Sequence, residues 1–505
     1  MLITSFGFLL LLAASTVVYY LLPMRFRWIV LLASSAVFYA YFGLHNAICL
    51  SATIITTYAA ALAIGHFHKR TDSAIAALGE GTSREEKQII RKKGQAIRRI
   101  FLTACLLINL GFLALVKLDG SLIMPVGLSF YTFRALAYLI DVYRGEVKAE
   151  SNLPRFMLFC AYFPQILMGP ISRYQEVAPA LFDGNRFDIN NLSAGARRTL
   201  FGFFKKLVIA DRLMPVVREL TGVRELTAET GQGADVFIAL MLYGVALYCD
   251  FSGGLDIALG SAKMVGVRLP ENFNKPFIAV SITDYWQRWH ITMGTWFRDY
   301  LFYPLSTAKP VRTVSKWMQS HIGSNFGKRM PVYIITLIVW FSTGAWHGAS
   351  MNYIGWGLVN GAVIILSLLC ESLYKRFHLR FPAAGKTGWY RAFMIVRTFC
   401  IVRLISAFFL YEDFKTTVRA LLSMFTDFQT SSFAGLTELM ALPDWIVAGA
   451  GTALLIILGM QKKDAFERLR PFVRRTAVLL LLLIVLVFGL YGFGYDINQF
   501  IYNRF

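Results

Sequence analysis

The chain has 505 residues, of which 56% are hydrophobic and only 16% are charged, and its mean hydropathy is +0.53. These values exclude an ordinary soluble globular protein and predict a polytopic protein embedded in a lipid bilayer. The net charge is +21, but the basic residues lie in loops between apolar runs, which is the pattern of the positive-inside rule. We therefore expect no nucleic acid partner.

Apolar runs of about 20 residues are long enough to cross a bilayer, and twelve of them follow one another along the chain. Residues 1–22 lack the basic segment and the cleavage site of a signal peptide, so we expect a retained first helix. The run at 198–217 contains Lys205, Lys206 and Asp211, which fits an amphipathic helix as well as a span. The predicted spans are 3–22, 28–44, 47–65, 100–117, 126–143, 198–217, 235–260, 331–349, 352–371, 394–411, 445–460 and 476–494.

The charge of the loops predicts the orientation of these spans. Residues 118–124 carry no Lys or Arg, and residues 412–444 carry two against five acidic residues, so we expect both segments outside. Four loops rich in Lys and Arg are expected in the cytoplasm: 66–99 with nine, 304–330 with five, 371–391 with five and 461–475 with six. Alternation then places both termini on the extracytoplasmic side of the cell membrane.

The chain shows no internal repeat and no polar stretch long enough for a separate soluble domain. We therefore expect residues 1–505 to form a single domain. Secondary transporters often show symmetry between halves, so the missing repeat weakens a transporter reading.

Two histidines in aromatic surroundings are the first candidates for chemistry. One is His290, in the segment SITDYWQRWHITMGTWFRDY, where Ser281 and Asp284 resemble a helix capping box. This segment is too polar to lie in lipid, so we expect a helix at the membrane interface or one that re-enters the protein interior. We expect His290 on its apolar face, because seven residues recur at three- and four-residue spacing: Trp286, Trp289, His290, Met293, Trp296, Phe297 and Tyr300.

The second histidine is His347, in the run IVWFSTGAWHGA. The small residues Gly344 and Gly348 beside it would allow another backbone or a flexible ligand to approach closely. Imidazole can take a hydroxyl proton near neutral pH, although a lone histidine on an apolar face is more often a hydrogen-bonded core residue. Neither histidine lies in a metal-ligand spacing such as H-E-x-x-H, so we expect no metal.

Several charged side chains lie inside apolar runs, where they are costly and face either a cavity or a partner. Asp250 and Asp256 are explained equally well by function and by structural pairing with an arginine. Arg134 lies two helical turns before Asp141, which predicts an interior polar network.

Arg397 and Arg403 are better explained as structural or snorkelling residues. Pro164 and Pro170 break a run too short to span, which predicts re-entrant backbone against protein or a water-filled chamber.

These residues together resemble the membrane-bound O-acyltransferase family, and within it the branch of bacterial alginate O-acetyltransferase membrane subunits. The blocks that carry the resemblance are PVGLSFYTFRALAYLIDVYRGEV, FMLFCAYFPQILMGPISRY, DFSGGLDIALG, ENFNKPF, ITDYWQRWHITMGTWFRDYLFYPL, WFSTGAWHGA and the terminal INQFIYNRF. They cover most of the chain from about Pro125 to Phe505.

The resemblance implies an all-α funnel of about 11–12 transmembrane helices, with re-entrant or interfacial helices around a central tunnel. It also implies a cytosolic acyl donor and two functional histidines, His347 and His290, with no bound cofactor. The tunnel or its polar network would then include Trp289, Trp346, Asp250, Asp256, Arg288, Arg298, Asp299 and Arg134.

The function that follows is transfer of an acyl group, acetyl above all, from acyl-CoA or an acyl-carrier protein to an extracytoplasmic hydroxyl. The acceptor would be a polysaccharide, a cell-wall polymer or a relay protein, with His347 as general base. One alternative is D-alanyl transfer from a carrier protein to teichoic acid. A polysaccharide transporter or exporter is the alternative without enzymatic activity.

Overall fold

A computed structural model describes residues 2–78, 82–119, 122–222, 232–411, 413–429, 435–460, 466 and 468–491. Within these ranges the chain forms helices and connecting segments and contains no β-strand. Phe273 and Trp289 form an isolated antiparallel bridge. The predicted all-α class is confirmed, whereas the terminal block INQFIYNRF lies outside the described residues.

The first of two compact units comprises Met1–Thr199 and Gly254–Pro270. Its helices are α1 (Phe6–Leu21), α2 (Arg27–Ala40), α3 (Leu44–Ala76), α4 (Arg84–Leu118), α5 (Leu128–Arg144), α6 (Leu153–Ala161), α7 (Tyr174–Phe182) and most of α8 (Ile189–Phe203), with a 3-10 turn at Met24–Phe26. Helix α3 packs against α4 and α5. Most side chains of α5 are buried, including the polar or charged side chains of Ser129, Thr132, Arg134 and Asp141.

The basic loop predicted at 66–99 is mostly helical, which corrects the sequence interpretation. Helices α3 and α4 have 33 and 35 residues, or about 50 Å each at 1.5 Å per residue, against about 30 Å of hydrocarbon. Ser83 begins α4 with a capping box, since its Oγ accepts from Glu86 N–H and Glu86 accepts from Ser83 N–H. Lys, Arg and Glu are good helix formers, so the charged segments continue the apolar helices.

The break predicted at Pro164 and Pro170 is confirmed within the first unit. Helix α6 ends at Ala161, and the chain becomes helical again only at Tyr174. Residues 162–172 are non-helical and buried, in agreement with the expectation that such backbone must be covered by protein.

The second unit comprises Leu200–Gly253 and Glu271–Phe505. Its helices are α9 (Asp211–Gly222), α10 (Gln232–Met264) up to Gly253, α11 (Ile282–Arg288), α12 (Ile291–Phe297), α13 (Tyr303–Ser306), α14 (Lys309–His321), α15 (Ser324–His347), α16 (Met351–Leu369), α17 (Glu371–Arg380), α18 (Gly388–Ser406), α19 (Phe414–Thr426), α20 (Leu436–Leu439), α21 (Leu442–Met460) and α22 (Pro471–Phe488). Phe204–Ala210 and Arg298–Phe302 are π-helical, and 3-10 turns lie at Pro276–Ile278, Ala384–Lys386 and Ala407–Phe409.

Eight helices in the described ranges are long and apolar enough to cross a membrane, so the chain is a multi-pass membrane protein. They coincide with eight of the twelve predicted spans. The other four predicted spans form helices shorter than 18 residues: α1 with 16, α2 with 14, α5 with 17, and the 198–217 run, which the π-helical Phe204–Ala210 interrupts. The eight candidate spans are Leu44–Ala76, Arg84–Leu118, Gly233–Met264, Phe326–His347, Met351–Leu369, Gly388–Phe409, Leu442–Gly459 and Pro471–Phe488.

Glycines bring α15 and α16 into backbone contact, which positions His347 at the end of α15. A side chain on Gly344 would collide with the carbonyl oxygen of Tyr353, and one on Gly357 with the carbonyl oxygen of Trp340. The close approach predicted for Gly344 is therefore confirmed, and it is made by backbone.

We expect Gly344→Ala to lower the free energy of unfolding by about 1–3 kcal/mol, the usual cost of overpacking. Gly449→Ala on α21 is the matched control, because nothing lies within 4 Å of a side chain there. Thermal unfolding of the two purified variants in detergent makes the comparison. Equal unfolding temperatures would show that α15 and α16 are not in backbone contact.

Candidate active site

Both candidate histidines line one cavity in the second unit. The cavity encloses about 580 Å³, counting the part that is open to solvent. Its walls are largely aromatic, and its lining residues are Tyr243, Leu247, Tyr285, Trp286, Trp289, His290, Met293, His347, Trp356, Asn360, Val402, Arg403, Ile405, Ser406 and Phe409. Among the described residues, no group of three His, Cys, Asp or Glu side chains is placed to hold a metal ion.

His290 does not lie on the face of a continuous helix, so that prediction is wrong. Helix α11 ends at Arg288, Trp289 is extended, and His290 has φ 48° and ψ 51° before α12 begins at Ile291. This left-handed backbone is uncommon for a residue other than glycine. It costs about 1–2 kcal/mol and must be held by surrounding contacts.

The segment from Asn272 to Asn274 supplies those contacts. The Asn274 N–H donates to the Arg288 carbonyl at 2.9 Å, and the Ile291 N–H donates to the Asn272 carbonyl at 3.0 Å. These two bonds fix the chain on both sides of His290. The side chains keep their helical spacing across His290, although the backbone turns there to pair with residues 272–274.

The Asn272 side chain also contacts Nδ1 of His290 and so bears on which ring nitrogen carries the proton. Its Oδ1 accepts from the backbone N–H and the hydroxyl of Thr292, each at 2.9 Å. Its amide Nδ2 lies 3.2 Å from His290 Nδ1, and Oδ1 lies 3.3 Å from the same nitrogen. Because the two lone pairs of Oδ1 already accept from Thr292, we assign Nδ2 as the donor to Nδ1, which leaves the proton of the neutral ring on Nε2.

Burial lowers the pKa of His290 from 6.5 to about 3, because an apolar environment disfavours the imidazolium. The ring is therefore neutral at physiological pH and a poor proton acceptor. It is suited to donate a hydrogen bond from Nε2.

His347 is the last residue of α15 and is surrounded by aromatic rings. Its ring centroid lies 4.5 Å from Trp346, 5.0 Å from Trp356 and 5.2 Å from Phe409. The Trp346 ring also lies 6.2 Å from His290. Trp346 thus contacts both histidines.

Trp289 lines the cavity, whereas the Arg288 side chain connects two segments beside the cavity. Trp289 stacks on Tyr285 at 5.6 Å between ring centroids. Arg288 pairs with Asp284 at 2.6 Å and donates to the Asn274 carbonyl at 3.3 Å, so it ties α11 to the segment that holds His290.

The capping box predicted at the start of α11 is only half formed. Ser281 Oγ accepts from the Asp284 N–H, but the Asp284 side chain accepts from the Val280 N–H. Farther along, Arg298 and Asp299 pair with each other at 3.2 Å, and the arginine side chain is half exposed.

Asp250 forms a buried ion pair, and its partner is a lysine instead of the arginine considered from the sequence. Lys206 Nζ lies 2.5 Å from Asp250 and 2.7 Å from Asp211, with all three side chains buried. Lys206 and Asp211 had indicated an amphipathic helix, but both side chains turn inward, where Lys206 pairs with Asp250 and with Asp211. Asp250 is one helical turn from Leu247, which lines the cavity.

Asp256 and Arg134 belong to the first unit and are described there by themselves. Asp256 pairs with Arg198 at 2.9 Å, as the structural alternative predicted. Arg134 is buried and donates to the Cys160 carbonyl. It forms no ion pair among the described residues and so is not joined directly to Asp141, which is also buried on α5.

Asn272 and Arg403 are the residues of the site that sequence reasoning missed. Asn272 lies in the block ENFNKPF, which carried the family resemblance but no assigned role. Arg403 lines the cavity and is 1% exposed, so the snorkelling interpretation is wrong for it. An arginine inside an apolar span was the available signal.

Comparison with known proteins identifies the family. The model of the membrane-bound O-acyltransferase family matches residues 145–318, which include Asn272 and His290. The probable alginate O-acetylase of Azotobacter vinelandii is 32% identical over 382 residues, or 75% of this chain and 70% of the relative. The peptidoglycan O-acetyltransferase of Helicobacter pylori is 29% identical over 60% of this chain and 57% of its own length.

A third relative is the teichoic acid D-alanyltransferase of Bacillus subtilis, 28% identical over 56% of this chain and 67% of its own length. The extent of the match to the Azotobacter relative and the family match together establish membership. The chain belongs to the membrane-bound O-acyltransferase family and is a multi-pass membrane O-acyltransferase.

Proposed function

We propose that this protein transfers an acetyl group from cytosolic acetyl-CoA to a hydroxyl on the extracytoplasmic side of the inner membrane. The observation that carries the proposal is one cavity lined by two histidines in different environments. The relatives named as alginate and peptidoglycan O-acetylating enzymes support acetyl as the group and a polymer hydroxyl as the acceptor.

His347 is the general base of the proposed reaction. It takes the proton of the attacking hydroxyl as the hydroxyl oxygen bonds to the thioester carbonyl carbon, and the carbonyl electrons move onto oxygen. Return of those electrons breaks the carbon–sulfur bond. The departing thiolate takes the proton back from His347, which leaves an ester and a free thiol.

His290 binds the thioester carbonyl in this scheme. Asn272 leaves the proton of His290 on Nε2, where it can donate to the oxygen that gains charge. The pKa of His290, lowered to about 3, keeps this ring from competing with His347 for the hydroxyl proton.

The proposed topology places the thioester donor on the cytoplasmic side, where the basic segments lie, and both termini outside. A coenzyme with several phosphates is attracted to a positive surface. The acceptor is a polysaccharide, a cell-wall polymer or a relay protein that passes the acetyl group on.

D-alanyl transfer is the second candidate, because the teichoic acid D-alanyltransferase of Bacillus subtilis is among the relatives. The two candidates differ in the donor. The purified protein releasing free CoA from labelled acetyl-CoA supports acetyl transfer. Reaction only with a D-alanyl-loaded carrier protein supports the second candidate and contradicts the first.

We expect His347→Gln to reduce acetyl transfer by at least ~100-fold, the lower end of what a positioned general base contributes. The variant should remain inserted and monodisperse, because glutamine is similar in size. His321→Gln is the matched control, since His321 is an exposed histidine on α14. Near-normal transfer by a folded His347→Gln protein would make His347 a packing residue.

We expect Asn272→Asp to reduce transfer at pH 7.5 by at least roughly 10-fold by changing the proton position on His290. A carboxylate accepts at both oxygens, so Nδ1 becomes the donor and Nε2 loses its proton. The carboxylate also raises the pKa of His290, so Nε2 regains a proton as the pH falls.

The measurement is the pH dependence of kcat for Asn272→Asp against the unmodified protein. We expect the ratio of the variant rate to the unmodified rate to rise as the pH is lowered from 8 to 6. A variant that is merely destabilised would lose relative activity in acid. A constant ratio would contradict the assigned tautomer.

Cysteine labelling in cells tests the proposed topology. Ser83→Cys should react only with a membrane-permeant reagent, whereas Gln429→Cys should also react with an impermeant one. Both are introduced after replacing the native cysteines, since Cys400 is exposed. The opposite labelling pattern would place the basic segments outside the cell and contradict a cytosolic donor.

A further inference from the structure

Arg403 is a buried arginine for which the described part of the chain supplies no counter-ion. It lies in α18, within the candidate span Gly388–Phe409, and it is 1% exposed. No carboxylate among the described residues lies within ion-pair distance of it. Its Nε and Nη1 have no hydrogen-bond partner in the described part of the chain, and Nη2 makes only a long contact of 3.5 Å to the Tyr285 hydroxyl.

The surroundings of Arg403 hold the guanidinium in one place. Its Cζ lies 5.5 Å from the ring centroids of both Phe277 and Phe399. On α10, Gly244 leaves the space that the side chain occupies, because a Cβ there would lie 2.6 Å from Nη1 and 2.8 Å from Cδ. Aromatic rings position the cation but accept none of its hydrogen bonds.

The neighbouring arginine of the same helix shows the difference. Arg397 lies nearly two turns earlier, is partly exposed and donates to the Val280 carbonyl at 3.0 Å. Arg397 therefore fits a structural role. Arg403 instead keeps unsatisfied donors at a cavity that the two histidines also line.

We propose that Arg403 binds an anionic oxygen of the substrate in this cavity. A buried charge is costly when it is unpaired and becomes favourable when an anion arrives, and arginine forms strong charge-assisted hydrogen bonds to such oxygens. The inference rests on the acyl transfer proposed above and adds a third group to the two histidines.

Two sources can supply the anionic oxygen. One is the thioester carbonyl, which gains negative charge as the hydroxyl adds to it and loses that charge when the thiolate leaves. The other is a carboxylate carried by the acceptor, as in a uronate polymer. The first source is present only during reaction, whereas the second is present in the bound substrate.

The experiment compares Arg403→Gln, Arg403→Met and Arg403→Lys in the full-length protein, with acetyl-CoA as donor and matched neutral and uronate oligosaccharides as acceptors. For a developing oxyanion, we expect kcat with both acceptors to fall about 100- to 1,000-fold in the glutamine and methionine variants, with little change in KM. For a resident carboxylate, KM should rise for the uronate acceptor alone. The lysine variant should retain part of the activity, because it keeps the charge.

Two further variants separate binding from packing. Gly244→Ala leaves Arg403 in the chain but displaces its guanidinium, so it should reproduce part of the loss. Arg397→Gln is the matched control and should keep kcat and KM within about twofold. Unchanged kcat and KM with both acceptors in folded Arg403→Gln and Arg403→Met proteins would overturn the proposal.

His347→Gln in the same assay keeps this inference distinct from the proposed function. If that variant is inactive while Arg403→Gln is fully active, the acyl transfer stands and the role of Arg403 is wrong. If the unmodified protein does not use acetyl-CoA, sodium acetate and neutral acetamide decide the question by thermal shift. A larger shift with acetate that Arg403→Gln abolishes supports the anion site, and equal shifts overturn it.

Discussion

The pairing of Asn272–Asn274 with the chain around His290 is the interaction on which the candidate site depends. Its backbone bonds hold His290 in a left-handed conformation, and the Asn272 side chain is assigned as the donor that leaves the proton of His290 on Nε2. The same segment therefore sets both the position of the His290 ring and the location of its proton.

Two buried cations in the second unit, Lys206 and Arg403, lie in different electrostatic environments. Lys206 is enclosed by Asp250 and Asp211, so the cost of burying it is offset within the protein, and the group stabilises one arrangement of the chain. Arg403 has no such partner among the described residues. Where a fold neutralises one buried cation fully and leaves another at the wall of a cavity, the second is the better candidate for contact with substrate.

The sequence predicted what local chemistry determines. The eight candidate spans could be predicted from the length of the apolar runs. The close approach of α16 to the end of α15, where His347 lies, could be predicted from the glycines in the aromatic run. The turn at His290 could not be predicted, because it is stabilised by residues about 18 positions earlier and the helical spacing of the side chains continues across it. The buried ion pair of Lys206 could not be predicted for a similar reason, since its partner Asp250 lies 44 residues away.

In the proposed reaction the two histidines are not interchangeable, because their surroundings differ. A general base must accept a proton, whereas a group that binds the carbonyl must keep one. Asn272 makes His290 a donor, and burial lowers its pKa to about 3, which removes it as a base. His347 lies at a helix end among aromatic rings, and Trp346 contacts both histidines. The proposed roles therefore follow from what lies beside each ring: the Asn272 carboxamide beside His290, and the Trp346, Trp356 and Phe409 rings beside His347.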